Sequence, residues 1–130
     1  MSEPLVQVCK GHHKEPLILS FATLLLFIVA LLHVLFFVLE SLLWTKPFVR
    51  RLFGQSESQA NMTRTLALNQ GFYNLGAAAL LVWFFIQDNL AGASGVLLFL
   101  AMMGLVGALS ANWRIIFIQS VPACVAFALL

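Results

Sequence analysis

Two ionisable side chains stand inside an otherwise apolar stretch of this chain. Glu40 follows His33 by seven positions, and Trp44 follows Glu40 by four. In an α-helix the three would lie within about 20° of one line along the surface. An imidazole and a carboxylate on one face can hold a polar ligand and exchange protons with it. Because such groups are costly among apolar neighbours unless they find partners, this face is expected to contact other helices.

Polar side chains in two later apolar stretches supply candidate partners. Asn69, Gln70, Tyr73 and Asn74 lie within two helical turns, and Gln119 lies near the end of the chain. Taken singly, such amides often only join membrane helices, at about 0.6–2 kcal/mol per bond. We expect the Glu40 carboxylate near Asn69, Tyr73 or Asn74, Gln119 in the same volume, and His33 deeper among apolar groups. The predicted ligand-binding residues are His33, Glu40, Trp44, Asn69, Tyr73, Asn74 and Gln119.

The helices that position these residues are predicted from the spacing of the charges. The chain is 62% hydrophobic and 9% charged, and no Asp, Glu, Lys or Arg interrupts four long segments. Crossing a bilayer core of about 30 Å takes roughly 20 apolar residues in a helix. The first segment is also longer than the apolar core of a signal peptide, about 7–15 residues. Four membrane-spanning helices are therefore predicted, at about Leu17–Leu43, Leu66–Ile86, Ala91–Leu109 and Trp113–Leu130.

The predicted architecture is all-α, a four-helix transmembrane bundle with up-down topology. The turns at 87–89 and 110–112 are short, and short turns place consecutive helices side by side and antiparallel. Residues 1–16 form an N-terminal tail, and residues 17–130 form the four-span domain with a loop at about 45–65. In that loop, apolar residues at helical spacing beside Arg50 and Arg51 predict a short amphipathic helix on the membrane surface.

The distribution of Lys and Arg predicts the orientation. Lys46, Arg50, Arg51, Arg64 and Arg114 fall on one side of the four spans, and Lys10 and Lys14 on the other. Because Lys and Arg accumulate on the cytoplasmic side, loop 45–65 is predicted to be cytoplasmic and both termini outside. The protein is accordingly expected to be a multi-pass protein of the inner (plasma) membrane.

Small residues in the third span predict close helix packing. Ala101, Gly104 and Ala108 lie near one stripe, where they allow helix backbones to approach. Packing within the chain is the favoured interpretation, and a homodimer through Gly104 and Ala108 remains an alternative.

Other classes of site are disfavoured. A net charge of +2 and the lack of a Gly-rich phosphate loop argue against nucleic acid as a partner. Cys9 and Cys124 suggest no disulfide framework. Cys9, His12 and His13 could hold a soft metal ion, although a solvated tail is the better interpretation. No cofactor and no catalytic residue are predicted.

Several of these residues form an ordered signature. It consists of His33, Glu40 and Trp44, then Phe53-Gly54, then Asn69-Gln-Gly-Phe-Tyr73-Asn74, then Gly104-x-x-Gly107, then Gln119-x-x-Pro122. Over about Leu17–Leu130 the chain resembles a bacterial family of small integral membrane proteins catalogued as domain of unknown function 1304. The resemblance implies the four-span plan and the same polar residues, but no reaction. Val106 and Leu32 depart from the family pattern, which has an aromatic and an acidic residue there.

Three classes of function are compatible with these residues. The first is a polar intramembrane pocket that binds or carries a small amphipathic molecule, with a proton-coupled exporter of the small multidrug type as the alternative. The second is a structural membrane subunit without catalysis. The third is an intramembrane enzyme with His33 and Glu40 as acid and base. It is disfavoured because the two residues lie about 10 Å apart along a helix, and both must reach one substrate.

Overall fold

The computed structural model describes residues 16–130, which consist of helices and short turns. Helix α1 is Pro16–Phe37 and continues into a π-helical turn, π1, at Val38–Leu42. A short helix, α2, follows at Pro47–Leu52. Helices α3 and α4 are Glu57–Ile86 and Leu90–Ser110, and a second π-helical turn, π2, at Ile116–Ser120 leads into α5, Val121–Leu129. No strand occurs within residues 16–130, so the all-α prediction is confirmed there.

The second long helix begins earlier than the sequence analysis predicted, at Glu57 rather than Leu66. Ser56 is its N-cap, because the Ser56 hydroxyl accepts from the Gln59 N–H and the Gln59 side chain accepts from the Ser56 N–H. These reciprocal bonds satisfy two free donors at the helix start. Segment 45–65 is therefore not a single loop. The predicted short helix within it is confirmed as α2.

Small and branched apolar residues form the core. Helix α1 packs against α3 and α5, α3 packs against α4, and α4 packs against α5. All four helices contribute fully or nearly fully buried residues, among them Leu26, Leu81, Leu97 and Ala126. Larger apolar side chains, including Leu31, Leu80 and Leu109, remain exposed on the outer faces. Exposed apolar surface of this extent marks an interaction surface, and lipid is one medium that would cover it.

Among the described residues, two helical segments are long and apolar enough to cross a membrane, at Ser20–Leu42 and Leu90–Ser110. They lie close to the predicted first and third spans. Helix α3, with 30 residues, is longer than either segment, but the amides of Asn69, Gln70 and Asn74 lower its mean hydropathy. The last segment, Ile116–Leu129, is apolar but shorter.

Each π-helical turn contains a hydrogen bond that reaches five residues along the chain. The Leu43 N–H donates to the Val38 carbonyl at 3.1 Å, and the Val121 N–H donates to the Ile116 carbonyl. The wider turn changes which face the following residues occupy. Trp44 lies beyond π1 in a turn. The prediction of one α-helical line through His33, Glu40 and Trp44 is therefore wrong after Leu42.

Two glycines allow these π-helical turns to approach a neighbouring helix. Gly71 of α3 lies against Ser41 of π1, and Gly104 of α4 lies against Ser120 of π2. In each place a Cβ atom on the glycine would collide with the serine hydroxyl. Gly104 is thus buried within the chain, as the packing interpretation expected.

Candidate functional site

A large open groove runs along α3 and α4. Its volume is about 1460 Å³. Towards the turn that joins these helices the wall is apolar, with Leu80, Phe84, Val96 and Phe99. Towards the other end, polar side chains from π1, α3 and π2 replace these residues. The groove therefore changes from apolar to polar along its length.

Glu40 lies at the polar end and is bonded to α3. Its Oε2 accepts a hydrogen bond from the Asn74 Nδ2 at 2.8 Å. The expected proximity of Glu40 to this group of amides is confirmed. Within residues 16–130, no cationic side chain forms an ion pair with Glu40.

Gln119 reaches the same groove from π2. Its Nε2 donates to the Leu100 carbonyl of α4 at 3.2 Å. Gln119 lines the groove together with Glu40 and Asn74, so three segments contribute polar groups to one volume. The amide of Gln119 is hydrogen-bonded to a backbone carbonyl, whereas the Glu40 carboxylate is hydrogen-bonded to the side chain of Asn74.

Aromatic rings surround the polar end. The Trp44 Nε1 donates to the Thr63 Oγ1 at 3.0 Å, and the Trp44 ring lies 5.0 Å from the Phe53 ring, centroid to centroid. The hydrogen bond fixes the plane of the indole. Tyr73 also lines the groove and is 66% exposed. Trp44, Phe53 and Tyr73 thus present rings to the volume that Glu40 borders.

A second, smaller cavity of about 380 Å³ adjoins this end. Glu40, Trp44, Gln55 and Gln70 line both spaces, and Asn69 lines the smaller one. The carboxylate is therefore bordered by open volume on two sides.

Gln55 is a residue that the sequence analysis missed. Its Oε1 is buried and has no hydrogen-bond partner among residues 16–130. Gly54, at φ 66°, ends α2 in the left-handed conformation, and the Gln55 N–H then donates to the Arg50 carbonyl at 2.8 Å. This termination of a helix by glycine turns the chain back on itself. The Phe53-Gly54 pair was the available signal for such a turn.

His33 is buried where the helices pack together, and it does not line either cavity. It is fully buried, and its Nδ1 donates to the Val29 carbonyl at 2.8 Å. The ring packs edge-on against Phe36, and the Nε2 has no hydrogen-bond partner in the described part of the chain. His33 has the apolar surroundings that were expected, but it is separated from Glu40.

Five of the seven predicted ligand-binding residues border the groove, namely Glu40, Trp44, Tyr73, Asn74 and Gln119. Asn69 borders the adjoining cavity, and His33 borders neither. Within residues 16–130, no cluster of three or more His, Cys, Asp or Glu side chains could hold a metal ion. Cys9, His12 and His13 lie outside the described residues.

The match to a known family covers this whole site. Residues 27–130 match the family model described as "Protein of unknown function (DUF1304)". The chain belongs to this family. No curated protein and no solved structure matches the chain. Since every groove residue named above lies within the matched range, the site is part of the DUF1304 region.

Proposed function

We propose that this DUF1304 protein binds or carries a small amphipathic molecule within the membrane. The apolar part of the molecule lies along α3 and α4, and its polar head lies beside Glu40, Asn74 and Gln119. The observation that carries the proposal is the single groove whose wall changes from apolar to polar. Ligand sites in proteins combine mostly apolar walls with a few convergent polar groups in the same way.

The size of the groove supports the proposal. Small-molecule pockets commonly have volumes of about 300–1,000 Å³. At about 1460 Å³ the open groove exceeds this range, so it has room for a drug-sized molecule or a single-chain lipid. Its open side would let such a molecule enter from the surrounding apolar medium.

The membrane arrangement proposed here has four spans, formed by α1, α3, α4 and the π2–α5 segment, in an up-down bundle. Residues 1–16 are the tail and 17–130 the membrane domain. The membrane is the inner (plasma) membrane, with both termini outside and segment 45–65 cytoplasmic. The length and hydropathy of Ser20–Leu42 and Leu90–Ser110 support spans one and three. The exposed apolar side chains on all four helices support the other two.

Cysteine labelling in intact cells tests this orientation. Ser58 is exposed and, unlike Ser56, makes no cap on α3. In a Cys124→Ser background, an impermeant thiol reagent added outside should label Cys9. When Cys9 is also replaced by Ser, a Ser58→Cys variant should stay unlabelled. The reverse pattern would invert the orientation.

A pair of substitutions at Gly95 tests the binding groove. Gly95 lines the groove, and a Cβ atom there would meet nothing within 4 Å. Gly95→Phe should therefore fill the groove without a clash, and Gly95→Ala is its matched control. We expect a panel of single-chain amphiphiles to raise the melting temperature of the wild-type protein and of Gly95→Ala, but not of Gly95→Phe. Stabilisation retained in Gly95→Phe would place the site elsewhere, and stabilisation by no amphiphile would contradict the proposal.

Proton-coupled export is the second candidate, because Glu40 borders open volume on two sides. A membrane carboxylate reachable from both cavities could release a proton when a substrate enters. In proteoliposomes, a substrate-dependent proton flux that Glu40→Gln abolishes would support export. No flux across a panel of cations would leave binding alone.

A further inference from the structure

The polar end of the groove contains a carboxylate without a positive counter-charge. The Glu40 carboxylate accepts from Asn74 at Oε2, and within residues 16–130 it has no ion-pair partner. Gln55 lines the same space, but its Oε1 is enclosed by protein atoms and does not face the groove. A ligand that brings N–H donors and a positive charge would complement the Glu40 carboxylate.

Aromatic rings at this end favour the same kind of head group. Trp44, Phe53 and Tyr73 line the groove, and the Trp44 ring is held in place by its bond to Thr63. The face of an aromatic ring attracts a cation, most strongly where water is excluded. Sites that bind ammonium groups combine aromatic rings with a carboxylate in this way.

The one Arg at the groove does not neutralise the carboxylate. Arg114 lines the groove, but it is exposed, and its guanidinium lies 5.9 Å from the centroid of the Trp113 ring. A solvated charge in this position is weakened by screening. A positively charged ligand group would therefore complement the polar end of the groove.

The geometry points to a long-chain ammonium compound as the ligand: a protonated amine that donates to the Glu40 carboxylate, with its hydrocarbon tail along α3 and α4. This inference rests on the proposed function and adds the chemical class of the ligand. An anionic head would meet the Glu40 carboxylate with like charge, and an uncharged head would leave that carboxylate without a counter-charge.

Probes with one tail and different heads test the inference. The protein in phosphatidylcholine nanodiscs is titrated with decylammonium, decyltrimethylammonium, decanol and decyl sulfate, and binding is followed by Trp fluorescence and melting temperature. Decylammonium should bind about tenfold more tightly than decanol and decyl sulfate, because it adds charge-assisted hydrogen bonds and cation–π contacts. It should also bind more tightly than decyltrimethylammonium, which has no N–H to donate.

The outcomes separate this inference from the proposed function. If decanol or decyl sulfate binds as tightly as decylammonium, and Gly95→Phe abolishes binding, the groove is a binding site but the ammonium class is wrong. If decyltrimethylammonium binds as tightly as decylammonium, hydrogen-bond donation to the Glu40 carboxylate is wrong, and the protonated-amine class is overturned. If no probe binds, both the inference and the proposed function fail.

One variant and one control identify the carboxylate involved. Glu40→Gln should remove the preference for the ammonium head, whereas Glu57→Gln, which removes a carboxylate outside the groove, should leave it unchanged. Unchanged ammonium preference in Glu40→Gln would overturn the inference.

Discussion

The two π-helical turns, π1 and π2, place similar residues in similar surroundings. Each carries a long polar side chain followed by a serine, Glu40-Ser41 in π1 and Gln119-Ser120 in π2. Each serine hydroxyl donates to a backbone carbonyl of the neighbouring helix, to Leu68 at 3.1 Å and to Ala101 at 2.9 Å. In both helices a glycine stands three residues after that carbonyl and allows the close approach.

The long polar side chains of the two turns have different partners. Gln119 donates to a backbone carbonyl, that of Leu100, which the helix holds in place. Glu40 is bonded to a side chain, that of Asn74, and borders both cavities. The backbone arrangement is thus the same, but π2 joins two helices while π1 presents a carboxylate to open volume. A π-helical turn can serve packing or a site, and the partner of its polar residue decides which.

The largest effect is expected at the glycine beside π2. In Gly104→Ala the new Cβ would collide with the Ser120 hydroxyl and lie 2.9 Å from the Ser120 backbone nitrogen. Because backbone cannot rotate away, we expect the free energy of unfolding to fall by about 3 kcal/mol, the upper range for overpacking. Denaturant titration in detergent micelles measures the change. Gly95→Ala is the control, since its Cβ meets open space, and equal stability of the two variants would contradict the close approach.

The bond between Glu40 and Asn74 should have the next largest effect. Asn74→Leu removes the donor and leaves the half-buried carboxylate without a protein partner. We expect a loss of about 2 kcal/mol in the free energy of unfolding. In the Glu40→Gln background the loss from Asn74→Leu should be smaller, because no charge is then left unpaired. Equal losses in the two backgrounds would show that the bond contributes little to stability.

The glycine beside π1 should tolerate a methyl group better than Gly104. A Cβ on Gly71 would lie 3.1 Å from the Ser41 backbone nitrogen, and its closest contact is the Ser41 hydroxyl. Since that hydroxyl can rotate, at the cost of its bond to Leu68, Gly71→Ala should lower the free energy of unfolding by about 1 kcal/mol. Ser41→Ala in the same chain should recover part of this loss. A larger loss at Gly71 than at Gly104 would reverse the order of the two turns.

The smallest effect is expected at Gln119. Gln119→Leu removes one interhelical hydrogen bond, which in membrane proteins contributes about 0.6 kcal/mol on average. Gln119 borders the proposed head-group site but carries no charge, so this variant should keep the preference for an ammonium head that Glu40→Gln loses. Fluorescence titration with decylammonium and decanol measures that preference. Loss of the preference in Gln119→Leu would show that Gln119 selects the head group as Glu40 does, and would remove the contrast between the two turns.

Several features followed from local sequence. The long gaps between charged residues located α1 and α4 closely. A run of about 20 apolar residues favours a long apolar helix wherever it stands in the chain. The pairing of Glu40 with an amide of the next long helix followed from the need of a buried carboxylate for donors. The early start of α3 was also readable, since Ser56 and Gln59 have the spacing of a capping box.

Other features depended on contacts between helices that are distant in the sequence. No residue of π1 marks its wider turn, whereas Pro122, which has no N–H to donate, stands two residues after π2 and is a local signal of a disrupted helix there. Packing between the helices buried His33 away from the groove, and the turn at Gly54 brought Gln55 to it. Sequence alone determined which segments are apolar helices and which polar residues need partners. Only the tertiary structure decided which partner each one has, because a side chain's surroundings depend on how neighbouring helices pack around it.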